Sequence, residues 1–346
     1  MKTEITSYFA ASNSYGGFIS YFDTVFNPKK YEMIYVIKGG PGTGKSSFMK
    51  KIAENAEKDG LKTEKIFCSS DPNSLDGVIV KSKEKQIALL DGTAPHERDA
   101  KYPGAYDCII NLGENWDSRW LEGNKEKISE LVDAKSKSYK AAYHYLDVCG
   151  TCDKRISSSI NQDYLDAIAD SEIKNMLEYE HKTPADKSNH KLICSFGRYG
   201  KYSLANQNGL NHIALTPSCD YFTAKLLLKS LARKLQEKGI NIQLFLDPLD
   251  SNSPDTIYIP TEEKIYSLSF GTPFDISLPS SKASGEESLR ISKKVYEESI
   301  SEAERWFSIA SDLHFRLEEI YSQAMNFEKN DILLGKKYKE IMTLLS

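Results

Sequence analysis

No apolar run in the sequence approaches the roughly 18–20 residues that a membrane-spanning helix needs, so no membrane partner is expected. The first residues, MKTEITSYFAASNSYGG, lack the apolar core of a secretory leader, and a cytoplasmic setting is the expectation. Cysteine is scarce, with 6 in 346 residues. That is no disulfide framework, and free thiols are expected. Excess charge of one sign is also missing: 45 Lys and Arg stand against 49 Asp and Glu, a net charge of -4. Nucleic acid is therefore not expected as a partner. What is present is globular: 40% hydrophobic and 27% charged residues, in a chain long enough for two domains.

Cys149-Gly-Thr-Cys152 is the one CxxC spacing. A structural zinc site would need a second ligand pair, and a redox pair would sit at a strand-to-helix turn. This pair falls in a helical-looking stretch, so both residues read as helix-surface cysteines.

Met33-Ile34-Tyr35-Val36-Ile37 is a short β-favouring apolar run and predicts a buried strand. Gly39-Gly40-Pro41-Gly42-Thr43-Gly44-Lys45-Ser46 follows and fits G-x-x-x-x-G-K-[ST] at every fixed position. By average residue usage those fixed positions arise by chance in about 1 in 100 chains of this length, and the flanks lower that further. Apolar residues at Phe48, Met49, Ile52, Ala53 and Ala56 then predict a helix with one buried face. Strand, glycine loop and helix are the context of a phosphate-binding loop. Glycines let phosphate oxygens approach backbone N–H groups, and the helix N-terminus favours anions. Lys45 would reach the β- and γ-phosphates, Ser46 would offer a hydroxyl to Mg²⁺, and Ser47 extends the cradle. The expected ligand is Mg-ATP.

Gly60 ends this helix, and Thr63–Cys68 predicts a second strand, followed by Asp71. Gln86–Asp91 (QIALLD) is a third run that closes on an acid, the pattern of a magnesium-holding carboxylate. An Asp at a strand's end can equally start a turn. The residue after Asp91 is Gly92, where many hydrolysing ATPases carry Glu. The catalytic base is therefore open among Asp71, His96 and Glu97. Asp71 before Pro72 is also a turn starter, and His96 and Glu97 are also ordinary loop residues.

A shift of 179 residues aligns Lys45–Pro95 with Ala224–Phe274 without a gap. The two segments share 12 identities over 51 pairs, against about 3 expected from composition, and among them are Gly60/Gly239, Asp71/Asp250, Asp76/Asp255 and Gly92/Gly271. The chemical residues do not recur. Lys45 aligns with Ala224, Ser46 with Lys225, Gly44 with Thr223 and Asp91 with Phe270. The second copy reads as a scaffold without cradle or metal acid. Lys225, one position past the aligned lysine, is the residue that a local shift would turn into a substitute. Arg198 is a candidate arginine finger. Each copy ends in a helical tail, over Asn124–Glu180 and Glu286–Leu345. These tails read as packed helix pairs and offer a surface for an unidentified protein partner.

The runs YVIKGGPGTGKSS, CSSDPNSLDGVIV, IALLDGTAPHERDAKYPG and IINLGENWD resemble a group of bacterial tandem P-loop NTPases, ATPase-like proteins. The likeness covers nearly the whole chain and is strongest over residues 5–120. It implies nucleotide binding at Gly39–Ser46 and a site role for Asp91–Glu97, and nothing about a substrate. This chain departs from the two-site pattern of that group in its second half.

The expected fold is α/β: two tandem P-loop NTPase-like domains with mostly parallel sheets flanked by helices and helical-hairpin extensions. The first would span 1–181, a polar linker 182–190, and the degenerate second 191–346. The expected activity is Mg-ATP hydrolysis at one site. The alternatives are a phosphotransferase, with Arg98 on an acceptor lid, and a nucleotide-gated binding module with negligible turnover.

Overall fold

The computed structural model describes residues 4–174, 191–209, 214–217, 219–260, 264–268, 272–274 and 286–346. The linker expected at 182–190, and positions Phe270 and Gly271, lie outside the described residues. The protein is mixed α/β and divides into two compact units. One holds residues 20–141 and 305–346, the other residues 1–19 and 142–304.

In the first of these units the strands pair in the order Lys62–Phe67, Leu75–Lys81, Gln86–Asp91, Met33–Lys38, Asp107–Asn111. Met33–Lys38 lies inside the sheet, next to the edge strand Asp107–Asn111, and is parallel to both neighbours, with Ile34 to Ile37 fully buried. Its unbroken apolar run is what a strand covered on both faces requires. Leu75–Lys81 alone runs against the other four. The sequence reading missed this strand, although Val78-Ile79-Val80 carries its signal.

The helix Lys45–Lys58 lays Phe48, Met49, Ile52, Ala53 and Ala56 on this sheet. The same core takes Leu334, Ile341 and Leu345 from the C-terminal helix Phe327–Leu345. Burying each large aliphatic side chain contributes roughly 1.5–3 kcal/mol. The helix that closes this core thus comes from the tail of the second sequence repeat.

The other unit mirrors the arrangement within itself. Its strands pair in the order Gln243–Leu246, Pro254–Ile259, Lys264–Ser267, Ala214–Pro217, Thr272–Phe274, with Pro254–Ile259 alone reversed. Both sheets break register at the same repeat position, between Ile66 and Phe67 and between Phe245 and Leu246. Both make the same turn: Asp71 accepts from the Asn73 backbone N–H, as Asp250 does from Asn252, each at 3.1 Å. Leu165, Ala169 and Ile173, from the tail of the first repeat, pack on Leu227, Leu228 and Leu231 of the helix Tyr221–Glu237. The compact units are therefore not the two halves of the sequence.

The long helices are Lys125–Ser157 and Glu286–Ala324. Among the described residues no helix is long and apolar enough to cross a membrane.

Candidate functional site

The glycine loop joins the strand Met33–Lys38 to the helix Lys45–Lys58. It lies at the C-terminal ends of the parallel strands, the edge where open α/β sheets place ligands. A cleft of about 580 Å³ lined by Lys29 to Glu32, Ala105 and Tyr106 precedes those same strands, at the opposite edge. It is a poor candidate on that ground.

The backbone of the loop explains its composition. Gly42 and Gly44 take φ of 69° and 87°, the left-handed region that side chains avoid. Gly44 occupies the N-cap of the helix with no capping side chain, and the first turn carries no acid. The helix therefore presents its leading N–H groups and positive dipole end without an internal anion.

Lys45 folds back over the loop. Its ammonium donates to the carbonyls of Gly39 at 3.2 Å and Gly40 at 2.9 Å, and lies 3.6 Å from the Asp91 carboxylate. The register sets this meeting: Asp91 pairs with Ile37, two residues before the loop begins. Asp91 also accepts from the backbone N–H and hydroxyl of Thr93, at 2.9 and 2.6 Å. The Ser46 hydroxyl accepts from the Leu75 backbone N–H at 2.9 Å. Thr43 donates to the Gly40 carbonyl at 2.9 Å. Ser47 sits in the first helical turn and Pro41 in the loop bend.

The helical tail closes on the loop. Asn330 donates to the Thr43 carbonyl at 3.0 Å and accepts from Asn115 at 2.9 Å. A Cβ on Gly42 would stand 2.4 Å from the Glu318 carbonyl oxygen, and one on Gly40 would stand 2.8 Å from the Tyr321 ring. These glycines thus let the helical tail pack closely against the loop.

The three candidate bases stand in different settings. Asp71 is committed to its turn, and the second copy repeats that turn without a glycine loop. Glu97 is exposed. His96 is buried and stacks on Phe22 with ring centroids 4.2 Å apart. Its Nδ1 lies 3.1 Å from the Asp91 carbonyl and its Nε2 3.2 Å from the Asp76 carboxylate. Burial pushes its pKa down, but the Asp76 and Asp91 charges and hydrogen bonds outweigh that and raise it. Asp76, the partner of His96, was not singled out in the sequence. The signal was its identity in both repeats.

Arg98 is buried beside Asp107, 3.8 Å away, which does not suit an arginine on an acceptor lid. Cys149 and Cys152 are not surface cysteines: both are buried in a cluster with Ile156, Phe222 and Tyr296. Helical spacing put them on one face, and that face is the apolar one.

In the other unit the corresponding place is filled. Tyr221, which aligns with Gly42, stacks against Tyr296 at 6.3 Å, and Phe222 meets Tyr296 at 5.0 Å. Asp220 caps the helix Tyr221–Glu237, accepting from the Phe222 and Thr223 backbone N–H groups. A carboxylate therefore already holds the amides that an anion would need. Lys225 pairs with Asp153 and with Asp250, the latter at 3.2 Å. Lys201 pairs with Asp255 at 2.7 Å and Asp247 at 3.4 Å. Arg198 packs over the Tyr199 ring.

Among the described residues no group of three or more His, Cys, Asp or Glu is arranged to hold a metal ion. Ser46 and Asp91 supply two hard oxygen donors, the set that suits Mg²⁺ when substrate phosphates and water complete its shell. The chain matches no protein-family model, no curated protein and no solved structure.

Proposed function

We propose that the chain binds Mg-ATP at Gly39–Ser46 and hydrolyses it there, with no second nucleotide site. The observation that carries the reading is the uncapped helix start at Gly44 beside Lys45 and Asp91, at the ligand-binding edge of the sheet. In this reading Lys45 leaves the Gly39 and Gly40 carbonyls for the phosphates, and the loop amides take the phosphate oxygens. Ser46 and Asp91 hold Mg²⁺, which when bound supplies neutralising charge to the β- and γ-phosphates. As charge shifts toward the leaving group, Lys45 and the amides stabilise it. The Asp76–His96 pair fixes the Asp91–Glu97 segment against the sheet. In the other unit the Asp220 cap and the Tyr221 ring oppose phosphate, and Lys225 is neutralised in place.

A second reading is a nucleotide-gated binding module with negligible turnover. It is favoured by Gly92 after Asp91 and by the commitments of Asp71 and His96 to other partners. Single-turnover hydrolysis of Mg-ATP by the purified chain separates the two. Phosphate release that is lost in Lys45→Ala supports the ATPase, and tight binding with no release supports the module. Failure of the wild-type chain to bind any nucleoside triphosphate contradicts both.

A further inference from the structure

We propose that Lys135 is a second phosphate-facing cation of this site and makes it prefer a nucleoside triphosphate to a diphosphate. The inference rests on the nucleotide reading above. Lys135 lies on the helix Lys125–Ser157, ninety positions beyond Lys45 in the chain. Its ammonium donates to His314 Nδ1 at 3.5 Å, and His314 Nε2 lies 3.5 Å from the Glu318 carboxylate. That pattern assigns the His314 proton to Nε2, because Nδ1 accepts. Glu318 is the residue whose carbonyl closes on Gly42. A continuous chain of neighbouring groups thus leads from the loop, through Glu318 and His314, to Lys135.

The ion pairing in this place is uneven. Among the described residues Lys135 has no carboxylate within ion-pair distance, and Lys45 has Asp91. Burial first, and then the like charge of Lys45, hold the Lys135 pKa below the usual lysine value, with Glu318 opposing. Two ammonium groups that repel one another in a partly dry place are both relieved by an anion between them. The helix N-terminus and loop amides hold the α- and β-phosphates, and Lys45 reaches the β- and γ-phosphates. A cation on another helix, linked to the loop through His314 and Glu318, is placed to meet the terminal phosphate rather than the inner ones.

The experiment is calorimetric titration of the full chain with Mg-ATP and with Mg-ADP, for wild type, Lys135→Met, Lys135→Arg and Lys45→Ala. Lys135→Met removes one charged hydrogen-bond donor, which weakens ATP binding about tenfold and leaves ADP binding within about twofold of wild type. Lys135→Arg restores most of the ATP preference. Equal weakening for both nucleotides, or no change for either, overturns the inference while a normal Lys45→Ala loss leaves the site itself standing. ATP binding that survives Lys45→Ala overturns the site and this inference with it. If Lys135→Met does not fold, Lys135→Gln gives the same comparison.

Discussion

The Lys45 ammonium lies 3.6 Å from the Asp91 carboxylate, although 46 positions separate them in the chain. Parallel pairing of their two strands brings them together: Ile37 pairs with Asp91 just before the loop that carries Lys45. A lysine and a carboxylate are thereby held at one sheet edge, where each partly neutralises the other.

Asp91→Asn is expected to weaken the magnesium dependence of ATP binding more than binding without metal. The variant keeps the hydrogen bonds that Thr93 donates, so the turn survives. Titration of Mg²⁺ at fixed ATP checks this. A curve that overlays wild type would reduce Asp91 to a turn residue.

Ile341→Ala is expected to destabilise the unit that carries the glycine loop by about 2–5 kcal/mol, the range for deleting a buried aliphatic side chain. Ile341 is fully buried among residues of the first repeat, although it belongs to the tail of the second. Urea unfolding without nucleotide measures the effect. A change under about 0.5 kcal/mol, the level of an ordinary surface substitution, would mean that this helix does not close the core.

Cys149 and Cys152 are expected to resist alkylation in the folded chain. Burial, reinforced by Cys152 and Asp153, pushes the Cys149 pKa up to about 12, and burial raises that of Cys152. The thiolate is the reactive form, so both stay protonated at pH 8. Iodoacetamide labelling read by mass spectrometry should find them unmodified until denaturant is added. Rapid native labelling, or a Cys149–Cys152 disulfide, would contradict the buried placement.

Much of this was legible beforehand because it is local. The run Met33–Ile37, the glycine loop and the spacing of Phe48, Met49 and Ile52 each encode one element, and these lie where expected. The repeat announced matching sheets, down to the shared turn at Asp71 and Asp250. The exchange of helical tails was not legible. Amphipathic spacing shows that Leu334 and Ile341 face something apolar, and is silent on which repeat supplies it. Lys135 did not stand out, because a lysine on a charged helix looks solvated. Asp76 was not singled out because it sits at the start of a reversed strand that went unread.

The central claim is that the chain binds one nucleotide, at the loop that Lys45 ends. Its most direct test is calorimetric stoichiometry for Mg-ATP with wild type and with Lys45→Ala. The account predicts one site per chain in wild type and none of comparable strength in the variant. A stoichiometry near two, or a full-strength site surviving in Lys45→Ala, would contradict it.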